Sequence, residues 1–159
     1  MNRIDVKMIA INAMIAGIYA VLTMAIAPLS YGAIQMRISE VMVFLAFYNK
    51  KYIPGLVLGC LIANTISPLG MMDICFGTLS TLLVCIAMYK LSNLFIAGIA
   101  GGIITGVIIG AELYFALELP FMINAFYVFA GEVIILIVGA ILFKLIERNQ
   151  ALMKKYVLE

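Results

Sequence analysis

The sequence predicts an all-α membrane protein, a single domain (1–159) built as a six-transmembrane-helix bundle with both termini cytoplasmic. Three observations carry this. The 159 residues are 66% hydrophobic and only 11% charged, with a mean hydropathy of +1.20, whereas a soluble domain is nearer half apolar and a quarter charged. A soluble chain of this length could not hide so much apolar surface. The apolar residues also fall into runs separated by short polar breaks, and at roughly 20 residues per span the chain holds at most six. Finally, nine of the ten Lys and Arg fall on one side of that arrangement, which by the positive-inside bias is the cytoplasmic side.

The first run, 8–27, follows Arg3 and Lys7 and stops at Pro28. It resembles a signal peptide, with Ala25-Ile26-Ala27 at the cleavage position, but its length and the spans that follow make it a membrane helix. The second run is apolar only from Val41 to Tyr48, so a spanning helix has to begin near Ile34 and carry Arg37, Ser39 and Glu40 inward, giving 34–48. Pro54 suits the first turn of a third helix, 54–66, and the Ser67-Pro68-Leu69-Gly70 break ends it. The remaining spans are 73–90, 93–118 and 121–147. The second and third are short on their outer side, and non-helical backbone at membrane depth must line protein or a wet cavity. A cavity open to the outside follows.

Few polar residues lie within these spans. Glu132 is 12 residues past Pro120, about 18 Å along the last helix, where an ionisable group is a functional candidate. Asn124, Val128 and Glu132 share one face at i, i+4, i+8. The bland alternative is a structural carboxyl bonded to Thr78 or Thr81. Arg37 and Glu40, at i, i+3, form either an internal ion pair or, with Gln35 and Ser39, a binding edge. Asn64 is either a ligand contact or glue between helices. Asp73 suits a helix cap, and Glu112 and Glu118 suit the outer interface. Five acids (Glu40, Asp73, Glu112, Glu118, Glu132) against Arg37 favour a small solute that is cationic or rich in N–H donors.

Several classes are excluded. There is no His, which removes histidine metal sites and Ser-His or Cys-His catalysis. No phosphate-binding loop for ATP occurs, no cofactor is implied, and a net charge of +2 points to no nucleic-acid partner. Cys60, Cys75 and Cys85 lie in apolar runs and read as small hydrophobes. Small residues form two stripes: Ala13, Ala16, Gly17 and Ala20 on the first helix, and Gly98, Gly102, Gly106 and Gly110 on the fifth. Each either packs inside the bundle or faces a partner subunit.

The segments Tyr31-Gly-Ala-Ile-Gln-Met-Arg-Ile-Ser-Glu40, Gly59-Cys-Leu-Ile-Ala-Asn64, Asp73-Ile-Cys-Phe-Gly-Thr-Leu-Ser-Thr81, Pro120-Phe-Met-Ile-Asn124 and Gly131-Glu132 together resemble the QueT family. These are substrate-binding S components of energy-coupling factor (ECF) transporters for queuosine precursors. The resemblance implies a six-helix fold of the ECF S-component type, in a bacterial cytoplasmic membrane, with an extracellular pocket lidded by the first connection. It also implies a transmembrane coupling protein and two ATPase subunits as partners, docked on the small-residue face of the first helix. A 7-deazaguanine (cyano, aminomethyl or queuine form) suits the residues: Glu132 for the guanine-like edge, Asn64 and Asn124 to orient the ring, and Arg37, Glu40, Gln35 and Asp73 around it. Phe76, Tyr127 or Tyr114 would hold the flat ring. The competing readings are an S component for another vitamin or heterocycle, a stand-alone carrier, and, least favoured, an intramembrane enzyme using Glu112, Glu118 or Glu132.

Overall fold

In the computed structural model, which describes residues 6–31 and 36–148, the described residues form helices and their connections, with no strand among them. In order they are α1 (Val6–Ala25), α2 (Ala27–Ser30), a 3-10 segment (Ile38–Val43) running into α3 (Phe44–Tyr48), a 3-10 turn (Lys50–Tyr52), α4 (Ile53–Asn64), α5 (Met71–Lys90), α6 (Leu94–Leu117) and α7 (Phe121–Arg148). Four of these, α1, α5, α6 and α7, are long and apolar enough to cross a membrane. Their outward faces carry residues such as Ile9, Ile18, Ile103, Val107, Phe126 and Ile141, all exposed, as expected where the solvent is lipid.

The four long segments and α4 match the expected helices within a few residues, and the 34–48 segment does not form a uniform helix. The segment expected at 34–48 is described from Met36 onward, and becomes α-helical only at Phe44. Arg37 precedes the 3-10 segment in an extended conformation. The 3-10 geometry places residues three apart on one side, so Glu40 and Val43 are buried together. At Pro28 the chain breaks one residue pair earlier than expected, at Ile26 (φ −121°, ψ 36°), and Pro28 then sits in the first turn of α2. There its missing N–H costs nothing. Pro54 holds the same place in α4.

Viewed by ends, α1 and α7 begin and finish at one end of the bundle, here called proximal. The 65–70 and 118–120 connections form the distal end. An apolar core fills the proximal half, centred on Phe44, Tyr52, Leu56, Val84, Met88 and Leu136. Phe44 packs on Phe143 with ring centroids 5.8 Å apart. A smaller apolar cluster, Ile109, Leu113 and Val128, sits distally. Between them the interior is polar.

Small residues set the helix spacing. A Cβ at Gly102 would lie 2.3 Å from Val133, and one at Gly110 2.7 Å from Ala125, so the glycine stripe of α6 packs internally on α7. A Cβ at Gly59 would lie 2.9 Å from the Ala16 carbonyl oxygen and 2.8 Å from Tyr19 Cβ. The small-residue face of α1 therefore divides. Ala16 and Ala20 are buried in the bundle, with Ala16 against α4, and cannot serve as an outward docking surface; Ala13 and Gly17 are exposed. Asn12, which no sequence pattern marks, donates to the Met8 and Lys51 carbonyls and accepts from the Gly55 N–H at 2.7 Å.

The α1–α4 crossing gives the first prediction. Gly59→Ala pushes a methyl into α1 backbone and should destabilise the protein by about 1–3 kcal/mol. A lowered thermal midpoint in detergent would show this, and an unchanged midpoint would refute the close approach.

Candidate functional site

The polar interior is assembled from five elements. Arg37 and Glu40 come from the 3-10 segment and its entry, Cys60 and Asn64 from α4. Asp73, Gly77, Ser80 and Thr81 share one face of α5, Thr105 and Glu112 lie on α6, and Asn124 and Glu132 on α7. Arg37, Glu40, Asn64, Asp73, Glu112, Asn124 and Glu132 are all buried. Sequence reasoning named these residues; Glu112 was expected at the interface and instead is fully enclosed.

Arg37 ties the group together. Its guanidinium lies 3.4 Å from Asp73 Oδ1, donates toward the Ser30 carbonyl and the Cys60 sulfur, and stacks 5.6 Å from the centre of the Tyr31 ring. The expected Arg37–Glu40 pair does not form, because Arg37 turns to Asp73. Glu40 instead receives the Tyr19 hydroxyl and lies 3.0 Å from the Thr81 hydroxyl. Asp73 does not cap its helix. Gly70, at φ 57°, makes the entry to α5, and the Asp73 carboxylate, already inside the first turn, takes Arg37 and the Ser67 hydroxyl.

Cys60 is more than a small hydrophobe. Its sulfur lies 3.1 Å from Thr81 Oγ1, 3.4 Å from Asn64 Nδ2 and 3.6 Å from the Gly77 carbonyl. Gly77 is what lets α4 come so close: a Cβ there would fall 2.5 Å from Asn64 Nδ2 and 3.4 Å from Arg37. Asn64 in turn donates to the Asp73 carbonyl at 2.9 Å.

Several enclosed polar atoms have no hydrogen-bond partner among the described residues: Glu40 Oε2, Asn64 Oδ1, both Glu112 oxygens and Glu132 Oε1. Each such atom costs about 1–3 kcal/mol. Neither Thr78 nor Thr81 bonds Glu132, so the structural alternative for that carboxyl has no support among these contacts. Arg37, Glu40, Gly77, Ser80, Thr81, Thr105, Ile109 and Glu132 surround a closed cavity of about 10 Å³, room for one water. A fused-ring solute enters only if these walls part.

Other expected residues stand apart. Tyr127 and Tyr114 are about half exposed on the outer surface, so they supply no ring slot, and Phe76 is only partly buried. Asn124 spends its amide N–H on the Pro120 carbonyl at 2.8 Å. Gln35 lies outside the described residues. The aromatic that reaches the cluster is Tyr31, which stacks on Arg37 and donates to the Ala63 carbonyl at 2.6 Å. Tyr19 and Ser67 also join it. Their depth in apolar helices or loops was visible in the sequence, but their facing was not. Among the described residues no three His, Cys, Asp or Glu side chains gather as a metal site.

A multi-pass helical membrane protein with an enclosed, incompletely satisfied polar site near one end has the build of a small-solute transporter subunit. The QueT transporter family matches residues 9–148, and the chain belongs to that family. It is a transporter-family protein and not an enzyme. The Queuosine precursor transporter QueT of Lactococcus lactis subsp. cremoris (strain MG1363) is 46% identical over 72 residues, 44% of this chain and 42% of that protein. The match thus spans less than half of that relative's length. No solved structure matches the chain significantly.

Gly77→Ala tests the geometry. It should drive Asn64 off the Asp73 carbonyl, lower the thermal midpoint as Gly59→Ala does, and weaken solute binding about tenfold. Unchanged binding would mean that the Asn64 position does not matter to the site.

Proposed function

We propose that this chain captures a queuosine precursor, a 7-deazaguanine, for ATP-driven uptake as the S component of an ECF transporter. The observation that carries the reading is the set of enclosed, unpartnered oxygens on Glu40, Asn64, Glu112 and Glu132. A guanine-type edge presents a ring N–H beside an exocyclic amino group, and one carboxylate accepts both. Glu132 is the candidate for that edge, Arg37 is the candidate donor to the carbonyl, the free Asn64 Oδ1 is a further acceptor for a solute N–H, and Tyr31 is the flat surface that lies on Arg37. A site whose buried polar groups need the ligand's N–H groups rejects analogues that lack them. Family membership and the name of the Lactococcus relative support the same solute class.

In this reading the bundle has six membrane segments, the 36–48 and 53–64 segments completing the four long helices. Its termini lie in the cytoplasm of a bacterial cell. Lys7, Lys50, Lys51, Lys90, Lys144 and Arg148 all lie at the proximal end, which supports that orientation. The site then faces outward. The work comes from partners, a transmembrane coupling protein and two ATPases, since this sequence has no phosphate-binding loop for ATP. The outward surface of α1 on which a partner would seat is the small patch of Ala13 and Gly17, where a Cβ at Gly17 meets nothing within 4 Å.

Two outcomes follow. Glu132→Ala in purified protein should lose deazaguanine binding by about a hundredfold or more, and near-normal binding would sink the assignment. Gly17→Trp should leave binding intact but stop uptake by cells holding the whole transporter; preserved uptake would remove α1 as the docking surface.

A further inference from the structure

We infer that Thr105 is a specificity-determining residue for the proposed solute, donating its hydroxyl proton to the ring nitrogen beside the exocyclic amino group. The inference rests on the deazaguanine reading and extends it around the ring. No sequence pattern marks Thr105. It lies on α6 and lines the closed cavity together with Arg37 and Glu132. The packing of α6 on α7 sets it level with Glu132. A Cβ at Gly102 would lie 2.3 Å from Val133, and one at Gly106 2.8 Å from Phe129 Cβ. Thr105 falls between those glycines as Glu132 falls between Phe129 and Val133, so the two side chains stand at one level of the same wall.

The hydrogen bonds decide its role. The Ser80 hydroxyl donates to Thr105 Oγ1 at 3.3 Å, and among the described residues the Thr105 side chain has no other partner. Its oxygen is therefore engaged and its proton is free. The third hydroxyl of the cavity, that of Thr81, is committed to Glu40 and Cys60. Ile109, one turn further along α6, adds only apolar surface. Around a guanine-type ring the polar atoms run in a fixed order: carbonyl oxygen, ring N–H, exocyclic amino group, ring nitrogen. The first and last accept, and the middle two donate. The cavity supplies the complement, with a donor in Arg37, an acceptor in Glu132 and a donor in Thr105. Without Thr105 the ring nitrogen would be enclosed with no donor, and a polar atom left so loses affinity.

The test uses purified protein and two probes, 7-cyano-7-deazaguanine and its 3-deaza analogue, in which C–H replaces that ring nitrogen. Wild type should bind the first about tenfold tighter, the size of one buried hydrogen bond. Thr105→Val keeps the shape of the side chain and should weaken the first probe about tenfold while holding the analogue near its wild-type affinity. Thr105→Ser, which keeps the hydroxyl, should retain the preference. Equal weakening of both probes by Thr105→Val overturns the inference, because a structural residue does not sense one ring atom. Equal binding of both probes by wild type overturns it too, and that comparison needs no variant to fold. Binding of neither probe by wild type fails the deazaguanine reading itself, and the Thr105 assignment falls with it.

Discussion

Arg37 is the only buried Lys or Arg among the described residues, and the distal half of the bundle is organised around it. A guanidinium at this depth is tolerable only if its N–H groups find acceptors and its charge finds an opposite one. Asp73, the Ser30 carbonyl, the Cys60 sulfur and the Tyr31 ring supply these from three separate pieces of chain. Each contact fixes a piece that helical hydrogen bonding alone would leave free. Ser30 anchors the end of α2, Cys60 sets α4, and Asp73 sets the first turn of α5. The interior polar site is therefore a consequence of housing one cation, and the enclosed carboxyls of Glu40, Asp73, Glu112 and Glu132 outnumber it.

This arrangement depends on missing side-chain volume. Gly77 lets Asn64 and Arg37 reach α5, and Gly59 lets α1 lie on α4. Gly106 and Gly110 bring α6 against the backbone of α7. In lipid, close approach replaces the hydrophobic effect as the force between helices. Proximally, large residues such as Phe44, Met88 and Leu136 fill the interior completely. Distally, glycines and short polar side chains draw the walls inward around carboxyls. The same chain thus packs tightly at one end and remains polar at the other.

Much of this was legible in the sequence, for reasons that differ by residue. The four long helices follow from unbroken apolar length, and Glu132, Asn64, Arg37, Glu40 and Asp73 stood out because lipid makes polar residues conspicuous. Facing was harder to read. The two sides of a helix carry little contrast when lipid and core are equally apolar, so Ala16 and Gly17 looked alike although one is buried on α4 and the other is exposed. Tyr127 and Tyr31 were indistinguishable for the same reason. Pairing was harder still. Arg37 and Glu40 are sequence neighbours, and choosing Asp73 over Glu40 depends on where α5 begins, which a left-handed Gly70 decides. Cys60 looked like a small hydrophobe until its neighbours were known to be Thr81, Asn64 and Arg37.

One connection links the site to the rest of the bundle. Tyr19 lies on α1, and its hydroxyl reaches Glu40 while its carbonyl accepts from Thr23. Thr23 meets the Ser39 hydroxyl at 2.6 Å. The inner face of α1 is thus bonded twice to the segment that carries Arg37 and Glu40, and the outer face of the same helix carries Ala13 and Gly17. Under the proposed function, a solute that draws Glu40 toward itself pulls on Tyr19 directly. Because α1 is a continuous helix with tight packing at Gly59, it moves as a body or not at all. Under the proposed function, occupancy of the site and presentation of the docking surface are two sides of one rigid element.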